Sequence, residues 1–378
     1  MKIVYLTPSL YIAGGLERVL TLKVNYFADI YGYKITIILT DGKEKPFFYP
    51  LSNKVEVINL NLNFDDLWSC GFAKKVVIYL WKQYRYKILL KKELIRIKPN
   101  ITISLLRREI NFLNKIKDGS RKIGEMHINR VNYRTIDSNE KNVIKSFFEY
   151  FWSKSLIRHL SKLDRMVVLT DKDREMWKEL SNVVVIPNPL SFTPKTRSSL
   201  NNKRVLAIAR YSHEKGIDLL LQAWSKIEKR CDWRLDIFGD GDTANYEQMI
   251  SDLGIDADRC TLNGRTDDVE KEYCNSSLYV LSSRFEGFGI VLLEAMACGL
   301  PIVSFDCPWG PRSIISDRKD GLLVENGNVD ALSEAMFNVI STEELRKELA
   351  SSALMSVRRF QIDEIALHWK SLFEEVLS

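Results

Sequence analysis

The strongest constraint on this chain is a rhythm that runs through it twice. A short apolar run of the buried type is followed by a turn, a helical pattern and another short apolar run. The first pass opens at Lys2–Thr7, turns at Gly14-Gly15, and carries Val19, Leu20, Val24, Phe27 and Ala28 at helical spacing from Leu16 to about Tyr31. Lys34–Thr40 then reads as a strand ending at Asp41-Gly42, with more strands at Val55–Leu60, Ile101–Leu105 and Met166–Leu169. Strand, helix, strand in alternation describes a parallel sheet covered by helices.

At Ile186-Pro187-Asn188-Pro189-Leu190 the rhythm breaks, and the stretch to Lys203 is rich in Pro, Ser, Thr and Asn, the composition of a linker. It then restarts with strand Val205–Ala209, helix Ile217–Ile227, strand Arg234–Phe238 and the turn Gly239-Asp240-Gly241. Helix Tyr246–Leu253, strand Leu278–Leu281, helix Gly289–Cys298 and strand Pro301–Phe305 follow. The expected architecture is α/β: two Rossmann-like domains facing across a cleft. Residues 1–187 form the first, 188–202 the linker and 203–356 the second, and a C-terminal helix over 357–378 packs back toward the first. Such sheets bind ligands beyond the carboxyl ends of their strands, and clefts between domains are common ligand sites.

Charge separates the same two halves. The net charge of +6 conceals +14 on residues 1–188 and −8 on residues 189–378. A basic half suits nucleic acid, an anionic membrane or phosphate-bearing small molecules, and the chain carries no zinc-finger, RRM-like or KH-like signature, so nucleic acid is not expected as a partner. No apolar run approaches the ~20 residues that span a bilayer. The first eight residues lack a basic region followed by a longer apolar core, so no secretory signal is expected. Six cysteines (70, 231, 260, 274, 298, 307) form no C-x-x-C pair and read as reduced thiols of a cytosolic protein. Four histidines (127, 159, 213, 368) show no metal-type spacing, and Asp240-Gly241-Asp242 sits in a turn, where Asp is expected for turn and capping reasons, so no metal is expected.

Three places carry chemistry. Gly14-Gly15 lies between a strand and its helix, where it serves either as a plain tight turn or as an anion cradle at the helix N-terminus. Arg210 ends one strand and Lys215 precedes Gly216 at the next helix. Two cations there oppose the helix dipole unless an anion joins them, and the alternative is a pair of solvated basic residues. In Ser283 to Pro301 a loop carries Glu286, Gly287-Phe288-Gly289 offers backbone N–H groups, and Glu294 falls in the second turn of an apolar helix. A buried Glu needs a partner, which the hydroxyls of a bound ribose would supply; the other reading is a surface Glu on an amphipathic helix.

The run from Phe285-Glu286-Gly287-Phe288-Gly289 to Glu294-Ala295-Met296-Ala297-Cys298-Gly299-Leu300-Pro301 resembles the E-x7-E signature of retaining glycosyltransferases of family 4, which have the GT-B fold. The similarity extends along nearly the whole chain. It takes in Gly14-Gly15-Leu16-Glu17-Arg18, Leu169-Thr170 with Asp173, Ile186-Pro187-Asn188, Arg210 with Lys215-Gly216, Gly239-Asp240-Gly241, Asn263-Gly264-Arg265 and Gly321-Leu322-Leu323-Val324. It implies that Arg210 and Lys215 hold the donor diphosphate with the backbone of Gly287, Phe288 and Gly289 and of Gly14 and Gly15. Glu294 would take the ribose, Glu286 the donor sugar, and Asn263, Gly264 and Arg265 the base, while His127 lies beside the transferred sugar and the acceptor. Ala209 replaces a common glycine, and Ser313 stands where many members have a glutamate. The run Ser304 to Arg312 is similar to enzymes that build bacterial surface polysaccharides.

The resemblance implies transfer of a hexose or N-acetylhexosamine from a nucleotide-diphosphate sugar, with UDP the expected nucleotide, to a glycan or polyprenyl-diphosphate-linked acceptor. No cofactor or metal is implied, and attack is from the front face with retention of configuration. A nucleotide-sugar epimerase or phosphorylase on the same fold, and a non-catalytic nucleotide-sugar-binding subunit, are the competing classes. From Phe72 to Lys98 the chain carries nine basic residues and one acid interleaved with Trp and Tyr. That pattern fits docking on an anionic membrane, hence a peripheral, cytoplasmic protein, or else a helix packed on the sheet with a solvated charged face.

Overall fold

A computed structural model describes residues 1–12, 14–42, 45–69, 71–130 and 154–378. The chain divides into two compact units, Met1–Pro187 together with Ile362–Ser378, and Asn188–Gln361.

In the first unit the described residues build a seven-stranded sheet from β1 (Lys2–Thr7), β2 (Lys34–Leu39), β3 (Val55–Asn59), β4 (Ile101–Ser104), β5 (Arg121–Glu125), β6 (Arg165–Val168) and β7 (Val183–Val185). The order is β3-β2-β1-β4-β5-β6-β7 and every pairing is parallel. The order reverses direction between β1 and β4, which opens a crevice at their carboxyl ends. Helix Gly15–Asp29 buries Val19, Leu20, Val24, Phe27 and Ala28 on one face of the sheet. The C-terminal helix Ile362–Leu377 buries Ile365, Trp369, Leu372, Phe373 and Val376 in the same core, at helical spacing. Phe373 meets Phe27 edge-on at 5.7 Å between ring centroids.

Helix Phe72–Ile97 turns one stripe, Tyr86, Leu90 and Leu94, into a second core layer. Lys82 goes inward with it, donating to the carbonyl of Asn63. Its opposite face is apolar as well: Val77, Leu80, Trp81, Tyr84, Ile88 and Ile95 are exposed. The nine basic residues are therefore not one solvated face. Lys82 is buried, while Lys87 and Lys91 stand on one flank of the exposed apolar stripe and Lys74, Arg85 and Lys92 on the other, roughly 40–80° from it.

The second unit builds a six-stranded sheet from β8 (Arg204–Ile208), β9 (Arg234–Phe238), β10 (Cys260–Asn263), β11 (Leu278–Leu281), β12 (Ile302–Phe305) and β13 (Leu322–Val324), in the order β10-β9-β8-β11-β12-β13. It is again all parallel, and its switch point lies between β8 and β11. Trp224, Leu235, Ile237, Met336 and Phe305 sit in its core, each contributing ~1.5–3 kcal/mol by burial.

The stretch 188–202 is not a loose linker. Its Ser191 hydroxyl bonds Glu294, its Ser198 amide bonds the carbonyl of Cys298 at 2.8 Å, and Asn202 reaches the carbonyl of Asn275 at 3.0 Å. Pro, Ser, Thr and Asn make it irregular without making it independent of the second unit. That unit also continues to Gln361, past the expected boundary at 356, through a 3-10 turn Val357–Phe360 whose Phe360 ring stacks edge-on against Phe288.

Candidate active site

In the second unit, parallel strands send every strand-end loop to one sheet edge. Three loops there are tied together. A Cβ on Gly239 would lie 1.8 Å from the Ala209 carbonyl oxygen, so only glycine lets the turn after β9 lie on the end of β8. The Tyr211 amide donates to the Asp240 carbonyl at 2.8 Å, and the Tyr211 hydroxyl donates to the carbonyls of Asn263 and Ile237 at 2.8 and 3.0 Å. Gly216, at φ 61°, tightens the β8 loop against β11, where a Cβ would meet the Ser282 carbonyl oxygen at 2.1 Å. The Ser282 hydroxyl donates to the carbonyl of Lys215 at 3.0 Å.

This lacing brings Lys215 to Glu286. The ammonium lies 2.7 Å from Glu286 Oε1, and the Ser283 hydroxyl donates to the same oxygen at 2.6 Å. Glu286 is buried, and its loop is closed from above by Gly310, where a Cβ would stand 2.7 Å from that of Glu286 and 3.0 Å from the carbonyl oxygen of Phe288. Arg210 points outward, 68% exposed, with Glu214 at 3.8 Å. Arg284, beside Glu286 in sequence, turns away to Asp218 in a two-pronged pair at 2.8 and 2.6 Å.

Glu294 lies in helix Ile290–Ala297, which Gly289 starts at φ 91°. It is 4% exposed, which excludes the surface reading. Its partners are the protein's own: Tyr273 donates to Oε2 at 3.0 Å and Ser191 to Oε1. The burial of this carboxylate is thus already met by donors of the protein and does not by itself call for a ribose. Burial, and then the Glu294 charge, push the Tyr273 phenol well above its ordinary range, so it stays a donor. Asn263 ends β10 with its amide on the Thr261 hydroxyl at 3.1 Å, and Gly264 and Arg265 are exposed beyond it.

In the first unit, Gly14 caps helix Gly15–Asp29, and a Cβ there would meet Glu17 Oε2 at 2.0 Å. The chain's own carboxylate already faces that N-terminus, which favours the tight-turn reading of the glycine pair. His127 follows β5, in a small pocket lined with it by Leu16, Leu105, Arg107 and Ile128. Its Nε2 stands 2.9 Å from Glu125 Oε1, and the Lys23 ammonium reaches the same carboxylate. Burial alone would raise the Glu125 carboxyl; Lys23 and His127 outweigh it and hold Glu125 at about 2. Lys23, Glu125, Ser191, Tyr273 and Ser283 were not singled out from the sequence. The available signal was a lysine within the buried stripe of a helix. Among the described residues no three His, Cys, Asp or Glu side chains gather as a metal site, and five cysteines are free; Cys70 lies outside the described residues.

Two parallel sheets with interleaved helices are the arrangement of the GT-B fold. The fold of TarM from S. aureus, solved with UDP and α-GlcNAc-glycerol, matches with a TM-score of 0.76 over 98% of this chain and 99% of that one, at 18% identity. Residues 191–354, within the second unit, match the family described as glycosyl transferases group 1, and the resemblance to glycosyltransferases carried by residues 285–301 is borne out. The chain is also 27% identical over 373 residues to an uncharacterized glycosyltransferase of Haemophilus influenzae, covering 95% of this chain and 96% of that one. It is 27% identical over 389 residues to a Campylobacter jejuni α-1,4-N-acetyl-D-galactosaminyltransferase named for an undecaprenol-diphosphate-linked glycan, covering 100% and 99%.

Proposed function

We propose that the chain is a retaining, metal-independent glycosyltransferase that moves a hexose or N-acetylhexosamine from a UDP-sugar to a lipid-linked glycan in surface polysaccharide or oligosaccharide assembly. The observation that carries this reading is the convergence of Arg210, Lys215 and Glu286 with the glycine loop of the Glu294 helix on one sheet edge. As the bond from the sugar to the diphosphate loosens, negative charge grows on the leaving group. Fixed cations and backbone N–H groups aimed there are the largest available rate contribution. Exposed Arg210 suits a bidentate grip on phosphate. Glu286, buried with its hydroxyl and ammonium donors, suits the sugar hydroxyls.

The names of the S. aureus and C. jejuni proteins support a UDP donor and a polyprenyl-linked acceptor. Helix Phe72–Ile97 supports a cytoplasmic protein peripheral to an anionic membrane, because an exposed Leu-Trp-Tyr stripe between two rows of lysines matches an apolar interior below charged headgroups. Among the described residues no helix is long and apolar enough to cross a membrane.

The test is a panel of UDP-sugars incubated with undecaprenyl-diphosphate-linked acceptors, with and without EDTA, and NMR of the product's new linkage. The expected result is UDP release with the donor's anomeric configuration kept and the rate unchanged by EDTA. Inverted configuration, or conversion of a UDP-sugar without acceptor, would overturn it.

A further inference from the structure

Lys23 and Glu125 form the most deeply buried ion pair among the described residues whose exposures are known, with each side chain 1% exposed. Taking two ions out of water costs several kcal/mol each, and an apolar pair of similar volume is often equally or more stable. A pair in this position is therefore a poor source of stability, and its surroundings indicate another use. Glu125 ends β5 and its carboxylate also stands 2.9 Å from Nε2 of His127, two residues on. Nε2 is buried with no directed hydrogen bond, as is the second oxygen of Glu125. On the other side, Lys23 is roofed by the Trp369 ring at 4.6 Å, a contact from the C-terminal helix. Tyr5 of β1, whose buried hydroxyl has no hydrogen bond, feels the Glu125 charge.

We propose that Lys23 and Glu125 are positioning residues for His127. The carboxylate charge, 2.9 Å from Nε2, favours the imidazole proton on that nitrogen, so that Nδ1 is the nitrogen offered to a sugar hydroxyl. Lys23 balances the carboxylate charge in an interior that would otherwise not hold it, and Trp369 keeps Lys23 in place. This rests on the glycosyltransferase reading above and on the place beside the transferred sugar that the family resemblance implies for His127.

The test uses the double variant Lys23→Met with Glu125→Leu, which removes both charges together and so leaves no uncompensated ion. With only four histidines in the chain, 15N-histidine labelling and long-range 1H–15N correlation read the tautomers, and His127→Gln assigns the relevant signals. The expected wild-type spectrum shows the proton on Nε2 of His127. In the double variant that signature gives way to a tautomer mixture, at an unchanged or higher melting temperature. Turnover of a UDP-sugar falls at least about 10-fold, the lower end of the loss when a group orienting a metal-bound histidine is removed, while KM for the donor holds. In a His127→Ala background the same pair of substitutions lowers kcat no further. An unchanged tautomer in the folded double variant, or an equal additional loss in the His127→Ala background, overturns the proposal. The tautomer measurement needs no substrate, so it decides this question even if no sugar transfer is found.

Discussion

Lys215 cannot serve Glu286 and a diphosphate equally well at once, and that competition gives opposite predictions for the two residues. The ammonium lies 2.7 Å from a buried carboxylate that otherwise has the Ser283 hydroxyl. Lys215 is 20% exposed, so the pair is worth more than a surface ion pair at ~0–1 kcal/mol and less than a fully buried one at ~3–5 kcal/mol when broken. Lys215→Met should therefore cost ~2 kcal/mol of stability, about 4–8 °C in a unit of this size. It should also weaken UDP by the loss of one charge-assisted hydrogen bond, ~1.5–3 kcal/mol, or ~10–150-fold in Kd.

Glu286→Gln acts the other way on the nucleotide. It removes the anion that holds Lys215 and leaves the ammonium for the diphosphate. UDP should bind tighter by ~1–2 kcal/mol, ~5–30-fold, while transfer from a UDP-sugar collapses because the sugar has lost its acceptor group. Isothermal titration with UDP alone, on wild type and both variants, measures this directly. UDP binding unchanged by Lys215→Met, or weakened by Glu286→Gln, would refute the reasoning, since either result means that Lys215 does not exchange one anion for another.

Replacing Lys87, Lys91 and Lys92 by Gln should lower binding to phosphatidylglycerol vesicles by ~3 kcal/mol, ~10²-fold at low salt, at ~1 kcal/mol per charge near the surface, with no change in melting temperature because all three are exposed; co-sedimentation unchanged by the substitutions would discard the membrane reading. Asp173 is buried with one oxygen on the Thr170 hydroxyl at 3.1 Å and the other without a hydrogen bond, and burial raises it from 3.8 to about 6. The native state thus holds that proton more tightly than the unfolded chain, so its contribution is full below pH 3.8, is lost as pH rises toward about 6, and is absent above it. Asp173→Asn should raise stability at pH 7.5 by ~2–3 kcal/mol and remove that slope; a variant no more stable than wild type in denaturant titration would count against it.

What was legible in the sequence was local. Strand and helix alternation predicted both sheets, and the strand-loop-helix order of the Glu286 to Pro301 run placed it at the carboxyl end of β11, because apolar spacing and a glycine turn act within a few residues. The boundaries were less legible. Pro, Ser, Thr and Asn between 188 and 202 mark irregular backbone, but nothing in composition says that Ser191 will seek a carboxylate 103 positions away.

The same separation hid the partners of the buried acids. Glu294 was correctly read as needing donors, yet a ribose was the only donor its neighbourhood in sequence suggested. Tyr273 and Ser191 arrive from elsewhere in the fold. Lys23 shows how such a site can be found. Val19, Leu20, Val24 and Phe27 fix the buried face of helix Gly15–Asp29, and position 23 falls on that face. A lysine there has to meet an anion, because an unpaired ammonium in that interior is too costly. The next parallel strand-ends with a carboxylate are then the places to search, and Glu125 at the end of β5, 102 residues on, is what the topology brings to it. A polar residue that violates the apolar period thus predicts a partner even where spacing says nothing about which one.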